Sequence, residues 1–357
     1  MDTYLAQLPI APPDASAAAR ARDRWNSIAK PVGSLGALED AIVQVAALTG
    51  NDSPDLSKRC VVVLCADNGV TQQNVSQSGA DVTRLIAANA VRGISSINKM
   101  CEPVGIDCVP VDMGMFEPLH MDGMRDLRVA AGTADISRGA AMTREQALQA
   151  IRTGVDLVGE LASQGYSLVA TGEMGIGNTT TSTAMTCAFT DKDPLELTGP
   201  GAGLPKAGVR HKAEVVRQAL DANRPDPHDP LDVLAKLGGF DIAAMCGVFL
   251  GGAVHRVPVI IDGFISVVAA YCAWQLRPEC KGAMLASHLS AEPGAAVLLD
   301  RMGFSAIIHA NMRLGEGTGA VCLVPLLDMA LNLYVTGPTF ADCGITSYKV
   351  DHKVGDQ

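Results

Sequence analysis

Four short apolar runs rich in β-branched residues punctuate the chain, at residues 60–66, 106–111, 167–171 and 257–261. Each runs into an acid, a glycine or both: Asp67, Asp112, Gly172-Glu173 and Asp262-Gly263. None alternates polar with apolar, which is how strands covered on both faces read. Between them lie stretches of helical period. Thr143-Arg144-Glu145-Gln146 has the form of a capping box, and Ala147, Leu148, Ile151, Val155, Val158 and Leu161 continue at three- and four-residue spacing. Strand, helix, strand over most of the chain predicts an α/β fold, a Rossmann-like parallel sheet with helices on both faces. The first 59 residues differ: they are Ala-rich, helical in period and broken by Pro9, Pro12, Pro13 and Pro31. With the tail they predict a smaller helical domain, 1–59 plus 326–357, beside a large domain at 60–325. The segment 223–230 reads as a surface loop between helices.

In such a sheet, ligands bind outside the carboxyl ends of the strands. Asp67, Asp112, Glu173 and Asp262 all fall at that edge. Any one of them could simply cap a neighbouring helix; four together predict a polar site.

Composition narrows the chemistry. The 357 residues carry 28 Lys+Arg against 38 Asp+Glu, a net charge of −10, which excludes a nucleic-acid backbone or an anionic membrane as the main partner. An anionic substrate must therefore be held locally. Ten cysteines are scattered singly without a Cys-x-x-Cys pair, and the histidines include no His-x-x-x-His, so reduced core thiols are expected and no metal. Met1-Asp2-Thr3-Tyr4 opens no secretory leader, and the apolar stretch 242–276 is interrupted by His255-Arg256 and Asp262-Gly263. A cytoplasmic protein with no membrane span is the expectation.

Three glycine-rich segments carry the candidate chemistry. Residues 171–180 follow a strand and open a Thr-rich helix, where glycines let backbone N–H groups approach an anion. Asn178 stands where a Walker loop has lysine, so a monophosphate held by amides and hydroxyls fits better than a triphosphate; a bare strand-to-helix turn is the alternative. Gly199-Pro200-Gly201-Ala202-Gly203 precedes Lys206, Arg210, His211 and Lys212, the densest basic patch, which reads either as a solvated face or as a phosphate counter-charge. Arg313-Leu314-Gly315-Glu316-Gly317 flanks a carboxylate with glycines, as a general base or as a plain turn.

Taken in order, Lys30-Pro31-Val32-Gly33-Ser34-Leu35-Gly36, the 172–180 segment, Gly238-Gly239-Phe240-Asp241, Asp262-Gly263-Phe264, Ser287-His288 and the 313–317 segment resemble the nicotinate-nucleotide–dimethylbenzimidazole phosphoribosyltransferase family, over about residues 9–333. The resemblance implies transfer of 5-phosphoribosyl from nicotinate mononucleotide to 5,6-dimethylbenzimidazole or a related aromatic base, in cobamide biosynthesis, without a cofactor. It implies Glu316 as the base, with Glu173 and Asp262 facing the ribose. Met174, Gly175, Gly177, Asn178, Thr179, Thr180, Gly201 and Gly203 would hold ribose and phosphate, and Lys212 would add positive charge. Ser78 and Ile86 would border the base, and Arg313, Leu314 and Gly315 complete the substrate contacts. A dimer is implied, homodimeric or with a homologous subunit. Two departures stand out: Asn68 where many relatives carry histidine, and Ile86 where some carry glutamine. They imply an acceptor pocket relaxed toward another benzimidazole, a purine or a phenolic ring. Competing readings are a P-loop kinase and a catalytically silent partner subunit.

Overall fold

The computed structural model describes residues 2–348. Six strands form one sheet: β1 (Arg59–Ala66), β2 (Asp107–Gly114), β3 (Arg125–Asp126), β4 (Leu168–Met174), β5 (Val259–Ile261) and β6 (Met284–Ala286). All pairings are parallel and the spatial order is β3-β2-β1-β4-β5-β6. That is the order of a doubly wound sheet, with its reversal point between β1 and β4.

The strand β1 shows why the pattern is apolar throughout. Its Cys60, Val62, Leu64 and Ala66 enter one core, while Val61, Val63 and Cys65 enter another on the opposite face. A period of two thus feeds two helical layers. The first core is built with the helices Arg144–Ser163, Phe240–His255 and Phe264–Leu276; the second with Asp81–Val91, Ser96–Cys101 and Thr318–Thr336. The helix Arg144–Ser163 carries the expected capping box at Thr143 and Gln146. It crosses Phe240–His255 at glycines: a Cβ on Gly154 would stand 2.0 Å from the Ala244 carbonyl oxygen, and one on Gly247 2.0 Å from that of Ile151. Side chains at either position would push the helices apart.

The strands β3 and β6, of two and three residues, left no run in the sequence long enough to mark them. The segment 223–230 joins the helices Lys206–Asn223 and Pro230–Leu237, as expected.

A third apolar cluster brings Trp25, Ile42 and Val43 from the N-terminal helices against Ala330 and Tyr334. We propose this as the core of the smaller helical unit. The boundary at 325/326 falls inside the continuous helix Thr318–Thr336, which serves both units, and residues 349–357 of that unit lie outside the described residues. The motif at Lys30 belongs here. Lys30 pairs with the buried Glu39 at 2.6 Å, Glu39 also accepts the Leu35 N–H, and the ammonium lies over the Trp25 ring. Its role in the fold is to clamp the turn, away from the sheet edge.

The helix Thr318–Thr336 is long and apolar enough to cross a membrane, with a mean hydropathy of 1.6. Half of it is buried inside the fold, where its inner side chains complete the second core.

Candidate active site

A cavity of about 170 Å³ opens at the carboxyl ends of β4, β5 and β6. Its wall holds Glu173 and Met174 from the end of β4, Asp262 after β5, His288 after β6, and the loop from Arg313 to Glu316. Of the residues singled out from the sequence, Glu316, Glu173, Asp262, Met174, Gly175, Gly177, Asn178, Thr179, Gly201, Arg313, Leu314 and Gly315 line it. Ser78, Ile86, Thr180, Gly203 and Lys212 do not. Ser78 and Ile86 are half-buried nearby, Thr180 points into the core, and Lys212 is wholly buried behind the wall.

The four acids at the strand ends divide by what they hold. Asp67 accepts the Phe116 N–H at 2.7 Å, and Asp112 those of Gly114 and Met115 at 2.9 Å each. Both are occupied in shaping loops. Asp262 reaches across to the start of the helix Thr318–Thr336, where its two oxygens accept from Gly317 at 3.2 Å and Ala320 at 2.9 Å. It is an N-cap supplied from another strand. Burial raises its pKa, opposed by those N–H groups and by the neighbouring His288, whose own pKa burial lowers. A Cβ on Gly319 would stand 1.9 Å from His288 Nδ1, so the ring sits hard against that helix start.

Glu316 stands in a run of three left-handed residues, with φ of +88° at Gly315, +61° at Glu316 and +93° at Gly317. A non-glycine residue there is strained, and such strain gathers at functional sites. Its Oε2 accepts the Ile97 N–H at 3.3 Å, which fixes the carboxylate at the cavity wall. Burial raises its pKa, with Asp262 adding to the rise.

Glu173 is buried at the end of β4. Its Oε2 accepts from Asn178 Nδ2 at 2.5 Å, and the same nitrogen donates to Asp241 Oδ2 at 2.9 Å. Burial lifts Glu173 to about 8 and Asp241 to about 6. The residue in the lysine position of a Walker loop is therefore an amide bridging two carboxyl groups. Asn178 opens the helix Asn178–Thr190, and the preceding Ile176 N–H is tied to Thr83 of the helix Asp81–Val91 at 3.1 Å.

Lys212 donates to Thr179 Oγ1 at 2.7 Å and lies 3.5 Å from the Gly199 carbonyl oxygen. Burial lowers its pKa to about 8, while the nearby Glu292 opposes the shift. Glu292 Oε1 accepts the Gly201 N–H at 2.9 Å. The loop from Gly199 to Gly203 is thus held between a buried cation and a buried carboxylate, beside the start of the Asn178–Thr190 helix.

Sequence reasoning left out three groups that line the cleft, His288, Ser290 and Glu292, and one buried behind it, Asp241. His288 lay in one of the motifs that carry the resemblance, but as a lone histidine after a strand too short to see. Asp241 followed Gly238-Gly239, and its contact with Asn178 needs two distant segments to meet. Among the described residues no group of three or more His, Cys, Asp or Glu side chains is placed to hold a metal ion.

Buried carboxyl groups and a glycine-turned helix start around one cleft, with a buried lysine behind its wall, make a polar site suited to an anionic ligand at the carboxyl edge of a doubly wound sheet. The sequence model of the family described as "Phosphoribosyltransferase" matches residues 10–345, and the chain belongs to that family. It is 43% identical to the nicotinate-nucleotide–dimethylbenzimidazole phosphoribosyltransferase of Acetivibrio thermocellus over 326 residues, 91% of this chain and 93% of that one. It is 42% identical to the enzyme of that name from Ruminiclostridium cellulolyticum, over 92% and 94% of the two chains. The crystal structure of CobT from Thermus thermophilus superposes with a TM-score of 0.88 at 35% identity, covering 93% of this chain and all of that one.

Proposed function

We propose that this protein transfers the 5-phosphoribosyl group of nicotinate mononucleotide to a lower-ligand base, 5,6-dimethylbenzimidazole or a related aromatic acceptor, releasing nicotinate and giving an α-ribazole-type phosphate. The observation that carries the reading is Glu316: a strained, partly desolvated carboxylate held by one oxygen at the wall of the cleft, in a chain whose relatives bear that enzyme's name.

The chemistry asks for little else. The C1′–N bond breaks with its electron pair going to the pyridinium nitrogen, so nicotinate leaves with a neutral ring nitrogen and needs no proton. The imine-type nitrogen of the azole forms the new bond to C1′ from the opposite face, and the proton on the other ring nitrogen goes to Glu316, which leaves the product ring neutral. Glu173 and Asp262 face the ribose and its developing positive charge. The glycine turn from Gly175 to Thr179 receives the phosphate, beside the Gly201 loop that Glu292 holds, with Lys212 behind them.

The cytoplasm and a dimer, homodimeric or with a homologous subunit, go with this reading. The exposed apolar side chains Leu85 and Phe116, which line a second surface cavity, would gain cover in such an assembly. The acceptor side is proposed as relaxed, since the helix Asp81–Val91 offers Ile86 and no amide at that position.

The test is product identity: incubation with nicotinate mononucleotide and dimethylbenzimidazole in a chelator, followed by chromatography. Equal amounts of nicotinate and an α-linked ribazole phosphate support the reading. A β-linked product, or nicotinate without a ribazole, contradicts it.

A further inference from the structure

Asp241 does not line the cleft, yet its carboxyl group is tied to one that does. Both N–H bonds of the Asn178 amide are used, one on Glu173 Oε2 and one on Asp241 Oδ2. Asp241 is wholly buried, and its other oxygen takes the Ile242 N–H at 3.0 Å. Among the described residues neither carboxyl group meets a cationic side chain within 4 Å. Two buried carboxylates joined only through a neutral amide cannot both remain charged at modest cost.

We propose that Asp241 is a positioning residue which acts on Glu173 through the Asn178 amide, so that in the empty site the two acids share one proton and release it when a substrate carrying a cationic ring binds. This inference rests on the proposed function, since it takes nicotinate mononucleotide as that substrate.

The proton has a definite place. Glu173 Oε2 is an acceptor from Asn178, so the O–H sits on Oε1, the oxygen that lies against Gly315 at the cavity wall, where a Cβ would stand 2.7 Å from it. The pKa order agrees: Glu173 rises to about 8 and Asp241 to about 6, so near neutrality Glu173 holds the proton and Asp241 is the anion. The charged groups facing the pair are all acids. Asp262 after β5 and Glu316 on its turn raise Glu173, and Asp67 after β1 raises Asp241. Cys65 of β1 faces both acids, and its thiol is pushed well up and is neutral. His288 lies near Asp262, and burial lowers its own pKa. A pyridinium nitrogen brought beside Glu173 is the missing positive charge. It favours the carboxylate, and the O–H proton passes to solvent as the nucleotide enters.

Asn68 fits the same chamber. It is wholly buried, both its amide atoms lack a hydrogen-bond partner, and it packs against Gly175 and Gly239, as Asp241 does. Its neutral amide adds no charge to offset the acids.

The experiment is titration calorimetry of the full chain with nicotinate mononucleotide, without acceptor base, in two buffers of different ionisation enthalpy. The expected result is release of close to one proton per site at pH 7, falling to about a tenth of that at pH 9. Asp241→Asn removes the neighbouring anion, which adds to burial in raising Glu173, so release at pH 7 should fall below the wild-type value and its decline should begin at lower pH, while the nucleotide still binds. Glu173→Gln should abolish release. The α-ribazole phosphate, whose ring is uncharged, should bind without release. If the nucleotide alone binds with no proton exchange in the wild-type protein, while the protein still forms product once acceptor base is added, this inference is overturned and the proposed function stands. If it does not bind at all, both fail. Should Asp241→Asn not fold, the wild-type pH series and Glu173→Gln decide the matter.

Discussion

Gly172 lies directly beneath Glu316: a Cβ on Gly172 would stand 2.4 Å from the Glu316 carbonyl oxygen. The glycine is inside β4, paired with Val63 of β1, so it is not part of an anion-binding turn. Its absence of a side chain lets the left-handed run from Gly315 to Gly317 settle on the sheet edge, where Gly317 in turn comes within 3.0 Å of the Thr171 carbonyl oxygen by its own virtual Cβ.

Gly172→Ala should therefore act on catalysis through Glu316. Backbone cannot yield cheaply at that distance, so the turn must lift. A misplacement of that order costs on the order of 100-fold in kcat. The expected outcome is a large fall in kcat with little change in the affinity for nicotinate mononucleotide. Equal loss in both would place the effect elsewhere.

Lys212 should contribute to phosphate binding with a particular pH dependence. Its lowered pKa, about 8, means its charge is lost as pH rises above that value. KM for nicotinate mononucleotide should then climb above pH 8, while KM for the nucleoside lacking phosphate stays flat. Lys212→Met should raise KM for the nucleotide about 10- to 100-fold, the worth of one charge-assisted hydrogen bond. The nucleoside should again be unaffected.

Stability should fall with rising pH because of Glu173. Its folded pKa of about 8 lies above the ordinary 4.5, so the folded protein keeps a proton that the unfolded chain has lost. The associated stability is complete below about 4.5 and declines as pH rises through 8. Asp241 acts in the same direction. Thermal midpoints measured at pH 5 and pH 8 should differ by less in Glu173→Gln than in the wild type. An unchanged difference would show that Glu173 is not held neutral.

The sheet and most of the site were legible in the sequence because each strand of β1, β2, β4 and β5 is buried on both sides and ends at an acid or a glycine. Glu173 could be named because it stands near the end of β4 just before a glycine-rich turn, and Glu316 because it sits within one. The roles of the glycines were harder to see. Gly172 and Gly319 make room for Glu316 and His288, contacts between segments far apart in the chain, and no local pattern encodes them. Asp262 read as a cleft acid, and it is also the cap of the helix Thr318–Thr336, some sixty residues on. The strands β3 and β6 escaped because two or three residues carry no period.

Acceptor choice should respond to residue 86. The helix Asp81–Val91 is tied to the glycine turn through Thr83 and Ile176, and we propose that residue 86, one turn on from Thr83, borders the acceptor. Ile86→Gln should shift preference toward a nitrogenous base over a phenol by about fivefold, the worth of one hydrogen bond. A panel of dimethylbenzimidazole, adenine and a simple phenol measures it. If the wild type already accepts dimethylbenzimidazole alone, the pocket is not relaxed.

The most direct test of the whole account is the single-turnover rate of nicotinate release with dimethylbenzimidazole, compared between wild type and Glu316→Gln at saturating nucleotide. Removing the base while keeping shape and hydrogen bonding should slow release by about 100-fold or more, and the wild-type rate should rise with pH through the raised pKa of Glu316. A Glu316→Gln rate within a few-fold of wild type would show that the acceptor's proton goes elsewhere and that Glu316 is not the base.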